Sequence, residues 1–432
     1  MKATLAWTLI ALAGTTAQLQ ASDWPQYRGP SGHGTAPADV ALLASWETTG
    51  PVELWRQPVG VGYSAVTVVG DRVYLMDAAD GQDAVLCLDR ADGRLIWRQP
   101  LGESASSDMD DKGPRSTPAV VDGWLYTASS AGRLVALDSS DGSLEWEYDL
   151  MAGGKAPRFG FSTSPLVDGD QVLIEGGSAE ESPGVYAFDR QTGELRWTAL
   201  GGPAGYSSPI AIDLAGRRQY VFFRRAGAEV VSLSTTGEIL WRHTTAALAI
   251  ITTPVFLPPD RLFVASADDV FGGLMLRVGA ADGAFTVEEV WSERLMRNHF
   301  NTAVAVNGHL YGFDNGTLRC LEAATGTKRW AKRGLGKGSL IAAGTQLLVL
   351  GDDGTLVLAE ANPDAFVEKG RVQAMSGRAW TAPSYAAGSL YLRDFDEVVA
   401  FDLRASEPLE PPETPDPAPS PATTERATEG RP

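Results

Sequence analysis

Short stretches in which every second residue is hydrophobic recur along most of the chain. Turns rich in Asp, Asn and Gly separate them, and the apolar spacing of an amphipathic helix is not the repeating pattern. Alternation of this kind places one face of a β-strand in a core and the other in a polar environment. The pattern therefore predicts an all-β protein built from hairpins.

One hairpin sequence is repeated with little change. It is LVALDSSDGSLEW at Leu134–Trp146, and close variants occur at Val85–Trp97, Val185–Trp197 and Leu318–Trp330. Each copy has an alternating strand, an acidic residue, a turn that ends in Gly and a Trp four residues after that Gly. Because Gly readily adopts the positive φ of a tight turn, each copy predicts two antiparallel strands.

The spacing of the repeats predicts four strands in each. The Trp residues that end them are Trp55, Trp97, Trp146, Trp197, Trp241, Trp291 and Trp330, separated by 42, 49, 51, 44, 50 and 39 residues. The copy that ends at Trp291 carries an insertion after Gly283. A further strand pair precedes each hairpin and opens with a hydroxyl residue, at Ser64, Ser116, Ser164, Ser208, Thr253, Thr302, Ser339 and Thr381. We therefore predict an eight-bladed β-propeller of four-stranded antiparallel blades, a closed ring that protects its sheet edges.

The two ends of the repeat array complement each other. The last blade ends near Leu403 without a Trp, whereas Trp55 lies in a strand that has no partner strands before it. We predict that this N-terminal strand completes the eighth blade and closes the ring. The propeller then spans residues 51–404, and residues 22–50 form an N-terminal arm.

The extreme termini have different compositions. Residues 1–21 contain one Lys, an apolar stretch and small residues near Ala21, which is typical of a secretory signal peptide. The apolar stretch is shorter than the roughly 20 residues of a spanning helix, and no cysteine for lipid attachment lies near it. Residues 405–432 are rich in Pro and Glu and are predicted to be a disordered tail. The protein is expected to be periplasmic or extracellular, with no transmembrane segment after signal removal.

Charge and cysteine content exclude some functions. The formal net charge is −18, so nucleic-acid binding, which requires a basic face, is not expected. Cys87 and Cys320 occupy matching positions in two distant repeats. We interpret them as small buried strand residues rather than as a disulfide.

The repeat resembles a known family at Ala136, Asp138, Gly142 and Trp146. These positions match the tryptophan-docking motif of propellers of the pyrroloquinoline-quinone (PQQ) type, in which each Trp packs between neighbouring blades. The resemblance covers roughly residues 24–404. It implies two kinds of relative, quinoprotein dehydrogenases that oxidise alcohols or sugars, and BamB-like scaffolds of the bacterial envelope that have no cofactor.

Candidate binding residues precede the inner strands, whose first residues converge on one mouth of a propeller channel. They are Tyr63, Arg115, Arg158 with Phe161, Tyr206, Arg297 with Asn298 and His299, Lys337, and Arg378 with Trp380. Cations and aromatic rings of this kind suit an anionic or polyhydroxylated ligand. Alternatively, these side chains pair with loop acids such as Asp108, Asp110 and Asp111, or fill space between blades.

The sequence contains little that indicates catalysis. It lacks the adjacent cysteines and the Cys-x-x-Cys-His haem site of quinoprotein dehydrogenases. The acidic pairs in GDDGT at Gly351–Thr355 and SADDV at Ser266–Val270 resemble turns more than a metal site. No cofactor, metal or catalytic residue is predicted, and PQQ with calcium is the alternative.

Three functions are consistent with this reasoning. The first is a non-enzymatic binding or assembly scaffold of the cell envelope, similar to BamB, with an envelope protein as partner. The second is a PQQ-dependent oxidoreductase, in which Lys337, Arg378 or Arg115 would bind the quinone carboxylates and Trp380 would stack on the ring. The third is a carbohydrate-binding propeller that uses the aromatic mouth.

Overall fold

The structure, a computed structural model, describes residues 23–36, 42–46, 50–105, 113–151 and 154–405. Within these ranges the chain forms 33 strands arranged in eight sheets. None of these segments is a helix long and apolar enough to cross a membrane. The signal peptide predicted at residues 1–21 and all of the predicted tail except Ala405 lie outside the described residues.

The first four sheets are blades 1 to 4, and in each the first strand is the innermost. Blade 1 comprises β3 (Thr67–Val69), β4 (Arg72–Ala79), β5 (Gln82–Asp89) and β6 (Leu95–Glu103), and blade 2 comprises β7 (Ala119–Val121), β8 (Trp124–Ala128), β9 (Arg133–Asp138) and β10 (Leu144–Asp149). Blade 3 comprises β11 (Leu166–Asp168), β12 (Gln171–Glu175), β13 (Pro183–Asp189) and β14 (Leu195–Gly201), and blade 4 comprises β15 (Ile210–Leu214), β16 (Arg217–Arg224), β17 (Glu229–Ser234) and β18 (Ile239–Thr244).

Blades 5 to 7 continue this order, and blade 8 departs from it. Blade 5 comprises β19 (Val255–Leu257), β20 (Arg261–Ala265), β21 (Gly273–Ala281) and β22 (Ala284–Glu293), and blade 6 comprises β23 (Val304–Val306), β24 (His309–Asp314), β25 (Thr317–Glu322) and β26 (Lys328–Arg333). Blade 7 comprises β27 (Ser339–Ala343), β28 (Gln346–Leu350), β29 (Thr355–Glu360) and β30 (Glu368–Gln373), with β1 (Thr35–Ala36) parallel to β27. Blade 8 comprises β31 (Ser384–Ala386), β32 (Ser389–Arg393), β33 (Glu397–Asp402) and β2 (Val52–Pro58).

The outer strand of blade 8 comes from the N-terminal side of the chain. β2 pairs antiparallel with β33, and Trp55 lies opposite Ala400. The predicted eight-bladed fold and its closure by an N-terminal strand are both confirmed. The ring therefore cannot close until residues more than 300 positions apart have paired.

Neighbouring blades are joined by the repeated Trp. The indole N–H of Trp55 donates to the carbonyl of Arg90 in blade 1 at 2.8 Å, and its ring lies against Gly93. A Cβ at Gly93 would come within 2.6 Å of that ring, and Gly93 also has φ +73°. The turn therefore requires glycine for two reasons, the close approach of the ring and the positive φ. The same N–H to carbonyl bond joins Trp97 to Ser139, Trp146 to Arg190, Trp197 to Thr235, Trp291 to Ala323 and Trp330 to Asn362.

Trp241 is the exception, and the insertion explains it. The extra residues lengthen β21 and β22 to 9 and 10 residues. No atom lies within 4 Å of the position where a Cβ would stand on Gly283, so this turn does not pack on a Trp of the preceding blade. The Trp241 N–H instead donates to the Gln219 side-chain carbonyl in its own blade at 2.7 Å.

The two cysteines are packing residues. Both are free and buried, as predicted. Cys87 lies opposite Trp97 and Cys320 opposite Trp330, at a register position that Ala or Ser occupies in blades 2, 3, 4 and 8. Burial raises the pKa of Cys87 to about 12 and that of Cys320 to about 11, so neither is a reactive thiolate at neutral pH.

The N-terminal arm spans one end of the channel. Trp24 bridges Val68 in blade 1, and the Ala342 N–H of blade 7 donates to the carbonyl of Gly34. Between these points the buried Arg28 donates to the carbonyls of Thr302 and Ala303 at the opening of blade 6, at 3.1 and 2.9 Å. We call the part of the channel beside the arm the arm end, and the part surrounded by the loops that precede the inner strands the mouth.

Blade 7 lacks a docking Trp of its own, which the repeat pattern in the sequence does not reveal. Gly370 lies opposite Leu358, at the register position that Trp occupies in the other blades. Trp46 of the arm fills the gap, because it is 5% exposed, packs against Gly370 and belongs to the same hydrophobic cluster as Leu358. Its backbone N–H donates to the Lys369 carbonyl at 3.2 Å.

We expect Trp46→Ala to lower the free energy of unfolding by about 3 to 5 kcal/mol, the usual cost of deleting a buried Trp side chain. Gly370→Ala should also destabilise the protein, since a Cβ there would stand 2.3 Å from the Trp46 ring. Trp46→Ala removes the ring from this clash but leaves the Trp46 carbonyl oxygen, which is 2.4 Å from the same Cβ position, so in a urea-unfolding double-mutant cycle the combined effect should be smaller than the sum of the single effects. Leu95→Ala, at an exposed position on blade 1, serves as the control and should cost about 0.5 kcal/mol or less. Additive effects of the Trp46 and Gly370 changes would contradict this docking role.

Candidate functional site

The hydroxyl residues that open the inner strands form a buried belt around the channel. The Thr117 N–H donates to Ser164 Oγ at 3.0 Å, and the Ser164 N–H donates to Ser208 Oγ at 2.9 Å. Further along the ring, the Thr253 N–H donates to Thr302 Oγ1 at 3.0 Å. The repeated Ser and Thr therefore join adjacent blades, and the loops just before them surround the mouth.

One group of mouth side chains is built around Trp380. The Arg378 guanidinium carbon lies 4.2 Å from the Trp380 ring centroid, and a guanidinium nitrogen donates to the Tyr63 hydroxyl at 2.7 Å. Tyr63 also contacts Phe395, with ring centroids 5.5 Å apart. Three loops thus meet here, those before blades 1 and 8 and the β32–β33 turn.

Phe300 connects this group to His299 and Lys337. Its ring stacks on Trp380 with centroids 4.2 Å apart, and the His299 ring lies 3.9 Å from it on the same loop. The Lys337 ammonium donates to His299 Nδ1 at 3.2 Å and lies 5.9 Å from the Phe300 centroid. Within the described part of the chain Lys337 makes no ion pair with an acidic residue.

Phe159 connects the other side of the mouth. Arg115 lies 5.1 Å from the Tyr63 centroid and donates to the Phe159 carbonyl at 2.9 Å. Arg158 lies 5.3 Å from the Phe159 centroid, and Tyr206 packs on that ring at 5.7 Å. The mouth is therefore lined by a continuous chain of contacting rings and cations contributed by seven of the loops that precede the inner strands.

We call these side chains the mouth cluster. Its members are Tyr63, Arg115, Arg158, Phe159, Tyr206, His299, Phe300, Lys337, Arg378, Trp380 and Phe395.

Arg297 and Asn298 are engaged elsewhere. Arg297 donates to Asp314 at 2.6 Å and pairs with Asp269, so acids surround its charge. Asn298 is fully buried and donates to the Phe313 carbonyl at 2.8 Å. Both hold their loop in place and do not join the mouth cluster.

Phe161, expected at the mouth, is instead a core residue. It is fully buried and packs against Gly132, whereas Phe159 is the ring that reaches the mouth. Phe159 and Phe300 adjoin predicted residues and could have been found by reading one position further along each loop. Phe395 could not, because it lies in the β32–β33 turn, which reaches the mouth through folding of the blade.

The mouth cluster places hydrogen-bond donors on cationic side chains beside uncharged aromatic rings. Burial and the Lys337 ammonium lower the pKa of His299 to about 4, so its imidazole is neutral at pH 7. Asp108, Asp110 and Asp111, the acids considered as alternative partners, lie outside the described residues.

The mouth does not fit a stacked quinone. Trp380 already carries Phe300 on its ring and the Arg378 guanidinium close to its centroid. A planar cofactor would have to displace one of these contacts before it could use the indole. Arg378 contacts Tyr63, and Lys337 contacts His299. The two cations considered as ligands of the quinone carboxylates are therefore already bonded to other residues of the mouth cluster.

The acids near the mouth do not fit a calcium site either. Asp352 accepts the Lys337 backbone N–H, Asp353 accepts the N–H of Thr355, and Asp268 accepts the N–H groups of Val270 and Phe271. The bonds of Asp353 and Asp268 are turn contacts, and the bond of Asp352 holds the loop before blade 7. Among the described residues, no three His, Cys, Asp or Glu side chains are grouped as metal ligands would be.

Comparison with known proteins places these features in a family. The family profile described as outer membrane protein assembly factor BamB matches residues 39–199 and 82–331, which together span more than half of the chain. The dehydrogenase subunit of alcohol dehydrogenase (quinone) from Gluconobacter oxydans is 31% identical over 169 residues, 36% of this chain and 22% of that protein. The matched segments cover less than half of the length of the first curated relatives.

Two solved structures share the fold. BamB from Moraxella catarrhalis aligns with a TM-score of 0.57 at 17% identity, over 82% of this chain and 99% of that one. Quinohemoprotein alcohol dehydrogenase ADHIIG from Pseudomonas putida HK5 aligns with a TM-score of 0.64 at 15% identity, over 93% of this chain and 82% of that one. At these identities the likeness establishes the propeller architecture, which scaffolds and enzymes share.

The lowered pKa of His299 predicts a pH effect on stability. As the pH falls below the ordinary value of 6.5, the unfolded chain binds a proton that folded His299 resists until about pH 4, so stability is lost across this window. His299→Gln should therefore reduce the fall in urea midpoint between pH 7 and pH 4.5. His309→Gln, at the first residue of β24, is the control and should leave the wild-type fall unchanged. An equal fall in wild type and His299→Gln would contradict the burial of a neutral imidazole.

Proposed function

Because this chain belongs to the PQQ-like propeller family described as outer membrane protein assembly factor BamB, we propose that it is a non-catalytic binding scaffold of the bacterial envelope. It acts in the periplasm or outside the cell, and its partner is another envelope protein. The mouth cluster is the surface that contacts this partner.

One observation carries the proposal. The side chains that a quinone dehydrogenase would use for its cofactor are engaged with one another, with Phe300 stacked on Trp380 at 4.2 Å and Arg378 bonded to Tyr63 at 2.7 Å. A preformed array of this kind suits recognition of a partner surface, since little side-chain entropy remains to be lost on binding.

The chemistry of the array indicates which partner segment it suits. Arg and Lys side chains donate to carboxylates, and exposed aromatic rings pack on apolar and proline side chains. Arg158 and Arg378 are the exposed cations at the rim. An acidic segment of an envelope protein therefore matches the mouth in charge.

The oxidoreductase alternative is tested directly by calorimetric titration of the purified chain with PQQ and calcium, followed by dye reduction with simple alcohols and sugars. We expect no saturable heat and no dye reduction, because the stacking position on Trp380 is taken. Tight binding that weakens on Lys337→Ala or Arg378→Ala would overturn the scaffold proposal and locate the quinone.

The scaffold role is tested in the bacterium that carries the chain. Its deletion should lower the amount of folded outer-membrane β-barrel proteins, measured by heat-modifiable mobility. Lys337→Glu with Arg378→Glu reverses two mouth charges and should behave like the deletion. Lys328→Glu, on the exposed outer strand of blade 6, is the matched charge control and should restore the wild-type level. Full restoration by the mouth variant at wild-type protein abundance would remove the mouth from the mechanism.

A further inference from the structure

A cavity of about 470 Å³ lies at the arm end, away from the mouth cluster. The arm forms one wall, and the inner strands of blades 3, 4 and 5 form the other. Its lining includes Tyr27, His33, Ser208, Arg218, Thr253 and Phe256. The rim residues Pro30, Ser31 and Asp213 are exposed, so the cavity opens to solvent. Small-molecule sites in proteins generally measure about 300 to 1,000 Å³.

A second cavity of about 350 Å³ continues the first toward blade 6. Both are lined by His33, Phe256 and Pro258, so the side chain of His33 stands where they meet. The arm therefore leaves a crescent of space along blades 3 to 6 rather than sealing the whole end of the channel.

Two buried polar atoms in this lining have no hydrogen-bond partner within the described residues, Thr253 Oγ1 and His33 Nδ1. Thr253 is 3% exposed. The corresponding hydroxyls of blades 3 and 4, on Ser164 and Ser208, each accept a backbone N–H from the neighbouring blade. The belt is thus interrupted at Thr253, where the cavity begins. A buried hydroxyl without a partner calls for an explanation, and beside a cavity a ligand that supplies the missing partner is such an explanation.

The charged side chains of the cavity lining are paired with one another or with a neighbouring residue. Its charged side chains are Asp213 and Arg218, and they pair at 2.9 Å while Arg218 also binds Asp168 at 2.6 Å. Burial and the Arg28 guanidinium lower the pKa of His33 to about 4, which leaves a neutral ring at pH 7. An ionic ligand would find no unpaired opposite charge in the lining, so a neutral polar ligand is the better match.

The same lining combines hydroxyl and aromatic groups. Tyr27 and Phe256 provide ring surfaces, and Gln26, Ser31 and Thr253 provide hydrogen-bonding side chains. Sugars present this pair of features, with apolar C–H faces and a rim of hydroxyls that both donate and accept.

We propose that the arm-end cavity is a binding site for a neutral polyhydroxylated ligand, a mono- or disaccharide in size, held through Thr253 and His33. The site is separate from the mouth and does not rest on the envelope-scaffold proposal. It also differs from sugar binding on Trp380, because that indole is already stacked on Phe300.

The test uses the purified full chain and five named probes, glucose, galactose, N-acetylglucosamine, lactose and cellobiose. Saturation-transfer NMR followed by calorimetry should find at least one that binds with millimolar or tighter Kd. Thr253→Val keeps the side-chain shape and removes the hydroxyl, which has no partner among the residues that the structure describes, so folding should be unaffected. Loss of its hydrogen bond to the sugar should weaken binding about tenfold. His33→Phe, which keeps a ring and removes Nδ1, should weaken binding similarly.

Thr381→Val is the matched control. Thr381 Oγ1 is also buried without a partner, at the equivalent inner-strand position of blade 8, but Thr381 does not line either cavity. It should leave sugar affinity unchanged. Equal weakening by Thr253→Val and Thr381→Val would overturn the proposal. So would the absence of binding by all five sugars, or saturable binding of inorganic phosphate in their place.

Discussion

The contact between a Trp ring and the turn of the next blade is the interaction on which this ring depends. A single four-stranded sheet cannot bury both of its faces, and each blade gains a core by packing on its two neighbours. Docking of the Trp also fixes the relative orientation of two neighbouring blades, because the indole N–H must donate to a carbonyl of the adjacent turn, as Trp55 donates to Arg90. The repeated Gly makes the close approach possible, and a larger residue at Gly93 would strike the ring.

Closure makes the N-terminal region indispensable to the ring. It supplies Trp55 and the outer strand of blade 8, and it supplies Trp46 to blade 7 where Gly370 has replaced the docking residue. The junction of blades 8 and 1 is further tied by the buried Arg393, which donates to the carbonyls of Ser64 and Met76 at 2.9 and 2.6 Å. Stability at the closing blades therefore depends on long-range contacts that form only when the chain ends have met, which is costly in loop entropy.

The closed ring leaves two unlike ends. At the mouth, cations and aromatic rings contact one another and present a preorganised surface. At the arm end, residues 23–36 bridge blades 1 and 7 and leave a neutral, partly polar crescent beside blades 3 to 6. The buried hydroxyl belt runs around the channel, and the hydroxyls of Thr253 and Thr381 have no partner among the described residues. The surface proposed for a macromolecular partner and the cavity proposed for a small ligand are therefore separate parts of the molecule.

The amino-acid sequence by itself determined the blade, the number of blades and the closing strand, because these follow from local signals. Alternating hydrophobic residues predict a strand, a Gly such as Gly142 predicts a turn, and the interval between Trp residues predicts the length of a blade. The sequence also placed Arg378, Trp380, His299 and Lys337 beside the same mouth. Only the tertiary structure decided which rings are in contact and that Phe159 rather than Phe161 reaches the mouth. It also decided that Arg297 forms an ion pair with Asp314 and does not join the mouth cluster. It alone decided that Trp46 serves blade 7, because this contact joins residues 324 positions apart and no local pattern specifies such a pairing.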